Sequence, residues 1–179
     1  MKSMIQGLAL AAGLLWAGLS YGQAATGHPG YADFGDLSGI TDAEPTVEIS
    51  LGPALLGFVS KSLGGEDPEL SSTLGKLRSI QVSVFEIPES HLDKALERTQ
   101  SIASRLKQDN WESAIRVRGE TSVDMFMKME GDTVQGMVVM VVDTSGDSVF
   151  LNIVGEIDPE QLGDVAGKFG VSLEDLEDL

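Results

Sequence analysis

Apolar and polar residues follow two different periods along this chain, and the changes of period mark its elements. Residues 46–51 alternate at every second position, which predicts a first strand. Two helical stretches come next, because Pro53 and Pro68 stand where the first turn of a helix tolerates proline. Residues 80–84 alternate again, which predicts a second strand.

The longest helical pattern in the chain lies over residues 90–108. It opens with a capping pattern from Ser90 to Asp93, and its apolar positions then stay on one face. Those positions are Leu92, Ala95, Leu96, Thr99, Ile102, Ala103 and Leu106. Charged and amide side chains occupy the other face, so the pattern predicts one long helix that packs on a sheet.

Residues 111–157 return to the period of two and contain several short turns. The predicted strands lie at residues 111–118, 121–130, 134–143 and 149–157. Because the turns between them are short, these strands are expected to form an antiparallel meander. A last helical pattern begins at Asp158-Pro159, with Leu162, Val165, Ala166 and Phe169 as its apolar positions.

The element order is therefore β-α-α-β-α-β-β-β-β-α. It predicts an α+β fold in which the helices pack mainly on one face of an antiparallel β-meander sheet. Residues 46–170 form this single domain, and residues 171–179 are an acidic C-terminal tail. Two arrangements stay open for the sheet: an exposed face, or a face that encloses a pocket.

Residues 1–22 are typical of a secretory signal peptide. Lys2 is followed by a short apolar run, and Ser20-Tyr21-Gly22 places small residues at the two key positions before a cleavage site. The apolar run is short for a membrane span, and no basic stop-transfer cluster follows it. We expect cleavage after Gly22 and a mature protein that is periplasmic or secreted, with no membrane anchor.

Residues 23–45 contain turn formers and little apolar surface, which predicts a flexible or loosely docked N-terminal segment. Its apolar residues are spaced by three, as in one amphipathic turn that docks on the domain: Tyr31, Phe34, Leu37 and Ile40. Its acidic residues lack the spacing of a calcium-binding EF-hand loop: Asp33, Asp36, Asp42 and Glu44. We interpret them as solvated side chains.

The charge balance excludes several classes of partner. The 179 residues contain 12 Lys+Arg and 28 Asp+Glu, for a formal net charge of −16. Nucleic acids and anionic lipid surfaces both require a basic face, so neither is expected as a partner. The chain has no cysteine, which excludes disulfides, a thiol nucleophile and Cys-ligated metals.

The sequence contains few candidate catalytic or metal-binding residues. His28 and His91 are the only histidines, too few for a typical zinc site without cysteine, and no Gly-x-Ser-x-Gly motif is present from Gln23 onward. Pairs of carboxylates are uninformative in so acidic a chain. We therefore predict no catalytic, cofactor-binding or metal-binding residues, and we expect that the protein is not an enzyme.

The five methionines of the mature chain all lie on one predicted hairpin, at positions 125, 127, 129, 137 and 140. Thioethers bind copper(I), but methionine also fills sheet cores adaptably or lines a partner groove. We favour the core interpretation and expect Met125, Met127 and Met129 to lie under the 92–106 helix.

Arg116 and Arg118 share one face of their predicted strand. Two arginines on one face are able to bind an external carboxylate or phosphate. We expect them instead to pair across the sheet with Asp124 or a neighbouring carboxylate.

Three segments carry distinctive packing and turn patterns: VEISLGPALL at 47–56, LGKLRSIQVSVF at 74–85, and Trp111-Glu112 with the basic strand and Met/Val-rich hairpin that follow. Together with the element order, they resemble a family of exported bacterial proteins known as domain of unknown function 4252. The resemblance covers about residues 45–160. It implies an exported bacterial protein of this architecture, with no assigned activity and no recognised catalytic residues.

Three classes of function are compatible with these observations. The favoured one is a non-catalytic module that binds another envelope protein. The alternative is a small carrier of an apolar or lipid-like ligand, because Phe126, Phe150 and Val154 point away from the methionine face. A carboxylate-based hydrolase has the least support. An enclosed apolar pocket would favour the carrier, whereas an exposed apolar patch would favour the protein partner.

Overall fold

The computed structural model describes residues 23–35, 37, 44–65, 67–144 and 146–157. The predicted signal peptide (1–22), the helix predicted to begin at Asp158 and the predicted acidic tail (171–179) lie outside the described residues. The helices are α1 (Gln23–Thr26), α2 (Pro53–Leu63), α3 (Pro68–Lys76) and α4 (Leu92–Gln108), with a 3-10 turn at Glu89–His91 before α4. The strands are β1 (Val47–Leu51), β2 (Leu77–Glu86), β3 (Glu112–Val117), β4 (Thr121–Glu130), β5 (Thr133–Asp143) and β6 (Asp147–Ile157).

The strands form one six-stranded sheet in the order β1-β2-β6-β5-β4-β3. Every pair of neighbouring strands is antiparallel. The predicted meander of β3 to β6 is confirmed, and β2 and β1 extend it beyond β6. The α+β class and the order β-α-α-β-α-β-β-β-β are therefore confirmed over the described residues.

The helices cover both faces of this sheet. One face packs against α4, where Phe126, Val138 and Phe150 meet Ala95 and Ile102 in a first core cluster. The opposite face packs against α2 and α3 in a second cluster, which contains Leu56, Leu74, Met125, Met137 and Ile153. The sequence predicted helices mainly on one face, whereas α2 and α3 cover one face and α4 covers the other. Both faces of the central strands are apolar, so both require cover.

The predicted position of the methionines is wrong. Met125 is buried, but it packs with Leu56 and Leu74 of α2 and α3, and Met127 and Met129 are half-buried against the same cluster. The reason is the alternation of side chains along β4: Phe126 points toward α4, so its odd-numbered neighbours point to the other face. Met140 is the methionine that packs on the α4 side.

Candidate functional site

The two histidines have different local surroundings. His28 Nδ1 accepts a hydrogen bond from Gly30 N at 3.2 Å, within a turn. His91 is the N-cap residue of α4, makes no capping bond there, and its Nδ1 is buried without a hydrogen-bond partner. Within the part of the chain that the structure describes, no three His, Asp or Glu side chains are grouped to hold a metal ion.

Arg116 and Arg118 pair with Asp124, as expected from the sequence. Arg118 Nη2 donates to Asp124 Oδ1 at 2.9 Å and Oδ2 at 2.8 Å, and Arg116 Nε donates to Oδ1 at 3.0 Å. Asp124 is 3% exposed, whereas the arginine side chains are 42% and 46% exposed. The carboxylate that these guanidinium groups bind is therefore supplied by the protein itself.

An N-terminal strap, residues 28–35, crosses the α4 face of the sheet. Asn152, fully buried on β6, accepts a hydrogen bond from Ala32 N at 3.0 Å and donates to Gly30 O at 3.1 Å. Its amide also donates to Met137 O at 3.1 Å. A buried amide that satisfies two backbone groups of a distant segment holds that segment in one register.

Two glycines allow the strap to approach the sheet backbone. An ideal Cβ at Gly30 would lie 1.8 Å from Gln135 O, and one at Gly136 would lie 2.4 Å from Gly30 Cα. Neither position has room for a side chain. The sequence indicates this contact between strap and sheet only in part, since Asn152 is a polar residue between the inward-facing Phe150 and Val154.

The rest of the strap docks on α4 and on the first core cluster. Arg98 Nη2 donates to Phe34 O at 2.7 Å, and the Phe34 ring meets Phe150 edge-on with centroids 5.9 Å apart. Phe34 and Leu37, which the spacing indicated as docking residues, pack against this cluster, whereas Ile40 lies outside the described residues. Residues 31–35 are not helical.

Two small cavities flank the strap. The first, of about 220 Å³, lies between Tyr31 to Asp33 and the α4 residues Ile102, Arg105 and Leu106, with Asp109 and Trp111 at its end. The second, of about 170 Å³, lies toward β1 and β2 and includes Glu48, Gln81 and Ser83. Both contain charged or polar side chains, which does not fit an enclosed apolar site for a lipid-like ligand.

The phenol of Tyr31 reports whether the strap is docked. Burial, and then the negative charge of Asp33, raise its pKa above the ordinary 10.0. A protein that begins at Gln23 has this tyrosine alone, so absorbance of tyrosinate should give one midpoint above 10.0. The pKa of Tyr31 is higher in the folded than in the unfolded chain. The contribution of Tyr31 to the free energy of unfolding is therefore fully present below the ordinary pKa and is lost as pH rises through the raised pKa.

Asp33→Asn should bring the Tyr31 midpoint closer to the ordinary value, since it removes the charge but leaves the burial. A midpoint at or below 10.0 in the folded wild-type chain would contradict the docked position of Tyr31.

The opposite side of the sheet carries an exposed apolar surface. Among the described residues, five of the six exposed large hydrophobic side chains fall within residues 47–59. We call them the β1–α2 patch: Val47, Ile49, Leu55, Phe58 and Val59. Phe58 is the most exposed of them, at 70%, followed by Leu55 at 53%. No pattern in the sequence indicated that these side chains are exposed, so the patch was not predicted.

The geometry of β1 and α2 explains why these side chains stay uncovered. Ile49 pairs with Val82 and therefore lies on the α2 side of the edge strand β1. On α2, Leu56 faces the core, and Ser60 faces α3 through a bond of 2.8 Å from its Oγ to Ser71 O. The patch residues of α2 lie roughly 100° or more around the helix from Ser60, on the flank away from α3.

The sequence family follows from a comparison with known proteins. Residues 41–165 match the family model described as Domain of unknown function (DUF4252). The chain belongs to that family. No curated protein and no solved structure matches the chain closely enough to count as similar.

The DUF4252 match spans the whole sheet, from before β1 to beyond β6, and includes the β1–α2 patch. The strap residues precede the match, which begins at residue 41. None of the helices in the described part of this DUF4252 chain is long and apolar enough to cross a membrane.

Proposed function

We propose that this DUF4252 chain is an exported, non-catalytic binding module of the bacterial envelope, and that its β1–α2 patch binds another protein. The observation that carries the proposal is the exposure of Phe58, Leu55 and their neighbours within one short stretch of the chain. Clustered apolar exposure on an otherwise charged surface is typical of protein interaction sites, and large aromatic residues supply much of their binding energy.

The alternative of an apolar-ligand carrier has weaker support. A carrier needs a concave site that encloses most of its ligand, and the two cavities beside the strap have volumes of about 220 and 170 Å³ with charged residues among their lining. The exposed patch is formed by an edge strand and a helix flank, and Ile49 at its border also lines the second cavity. A protein partner fits such a surface better.

Export is supported by the leader pattern of residues 1–22. A net charge of −16 keeps an exported domain soluble and accelerates its encounter with basic partners. Association with such a partner should therefore weaken as salt concentration rises.

The proposal is tested by changing the patch without changing the core. Leu55→Ser together with Phe58→Ser should abolish recovery of the partner from cross-linked envelopes, while the unfolding midpoint stays near that of the wild type. Ile115→Ser is the matched control, because Ile115 is also an exposed apolar residue but lies on β3 at the far edge of the sheet. Undiminished partner recovery by the double variant would overturn the proposal.

A further inference from the structure

We infer that the partner of the β1–α2 patch is an extended segment of another polypeptide, with alternating apolar and basic residues, which pairs with the outer edge of β1 as an added strand. This inference rests on the proposed function and specifies the mode of binding and the chemistry of the partner. Strand addition is an established way in which proteins recognise extended peptides: main-chain hydrogen bonds give affinity and alternate side chains give specificity.

The first support is the edge itself. β1 is an outer strand of the sheet formed by the described residues, and β2 is its neighbour there. The register from Val47↔Val84 to Leu51↔Ile80 runs without a shift, so the backbone groups on the outer edge of β1 are regularly spaced. An edge strand with exposed apolar side chains is a ready template for pairing with another chain.

The other edge strand is less suitable. The pairing of β3 with β4 shifts between Ser113 and Ile115, and such an irregularity bends a strand and interrupts its ladder. Charged side chains also stand on β3, where Arg116 is held by Asp124. Both features are ones that proteins use to protect sheet edges.

The second support is the difference between the two faces of β1. Val47 and Ile49 are exposed on the α2 side, at 44% and 40%. Glu48 and Ser50 are exposed on the other side, where their neighbours on β2 are the polar residues Ser83 and Gln81. A strand added at this edge would continue the same alternation, because cross-strand neighbours share a face.

The partner's side chains follow from this alternation. Apolar residues of the added strand would lie beside Val47 and Ile49, on the side of the sheet that carries Leu55 and Phe58. Basic residues would lie beside Glu48 and within the negative field of a chain whose net charge is −16. An amphipathic helix would also cover apolar side chains, but it would leave the backbone groups at the edge of β1 without protein partners.

A synthetic heptapeptide, Lys-Val-Lys-Ile-Lys-Val-Lys with blocked ends and a fluorophore, tests the inference with the full mature chain. In an extended strand, alternate N–H groups point to opposite edges. One peptide is N-methylated on its apolar residues and a second on its inner lysines, and in strand addition only one of the two sets of N–H groups faces β1. We expect one methylated peptide to bind like the unmodified peptide and the other at least about tenfold more weakly.

An equal effect of the two methylations, whether both peptides bind or neither does, would overturn strand addition. Glu48→Gln should weaken binding of the unmodified peptide several-fold and leave its methylation pattern unchanged, and no change in affinity would overturn the basic character of the partner. Replacing the lysines of the peptide by glutamate should abolish binding.

The outcomes separate this inference from the proposed function. If no lysine peptide binds, while Leu55→Ser with Phe58→Ser still abolishes partner recovery, strand addition is wrong and the proposed function stands. If the double variant retains its partner, the proposed function itself is wrong. A stable dimer in sedimentation equilibrium that disappears with Phe58→Ser would show that a second copy occupies the patch, which would also overturn the inference.

Discussion

Gly30→Ala is expected to lower the free energy of unfolding by about 3 kcal/mol, one of the largest effects of any single change in the strap. The added Cβ would lie 1.8 Å from Gln135 O and 2.7 Å from Gly136 Cα, and both are backbone atoms that have no rotamer to change. Relief requires the strap to leave the sheet. Asn152 would then lose its bonds to Gly30 O and Ala32 N inside the domain.

Gly27→Ala is the matched control, because no atom lies within 4 Å of a Cβ at that position. Urea denaturation followed by the fluorescence of Trp111, the one tryptophan of a chain that begins at Gln23, measures both variants. A loss below about 0.5 kcal/mol for Gly30→Ala would contradict the close contact between the strap and β5.

Phe150→Ala is expected to cost about 3–5 kcal/mol. Phe150 is fully buried on β6, and its ring meets Phe34 of the strap and Phe85 of β2 edge-on at centroid distances of 5.9 and 6.1 Å. Truncation leaves a cavity where sheet, strap and the first core cluster meet, and it removes two aromatic contacts.

Phe58→Ala provides the contrast for Phe150→Ala. The same change of side chain at a position that is 70% exposed should cost about 0.5 kcal/mol or less, because little packing is lost. Equal losses for the two variants would show that Phe58 contributes to the core and would remove the main support for the patch.

The elements of the fold could be predicted because each depends on local pattern. The period of two over residues 111–157 and the apolar face of α4 determine strands and helix without reference to distant residues. The face of the sheet on which a residue lies is harder to predict from the sequence. Met125 and Phe126 are neighbours in sequence, yet one packs against α2 and α3 and the other against α4.

Local pattern predicted that Phe34 and Leu37 dock on the domain, but it could not predict the backbone contact of the strap with the sheet, since Gly30 and Gly136 come together only when the sheet has formed. The patch was missed for a related reason. The apolar residues of α2 follow a helical period that is typical of a core-facing helix, but Leu56 is the residue that the sheet buries fully. Which flank of a helix a neighbouring element covers is decided by tertiary packing, here by the contact between Ser60 and Ser71.

The central claim is that the β1–α2 patch binds another protein, and site-specific photo-cross-linking tests it most directly. A photoreactive amino acid replaces Phe58 in the full chain of residues 1–179, expressed in the cell of origin. A second variant carries the photoreactive amino acid at Ser104, an exposed residue of α4 on the opposite side of the sheet. We expect irradiation to join position 58, and not position 104, to another polypeptide that mass spectrometry can identify. The claim that the patch binds another protein would be contradicted if adducts at position 58 were no more abundant than those at position 104. Adducts of position 58 with lipid alone would contradict it as well.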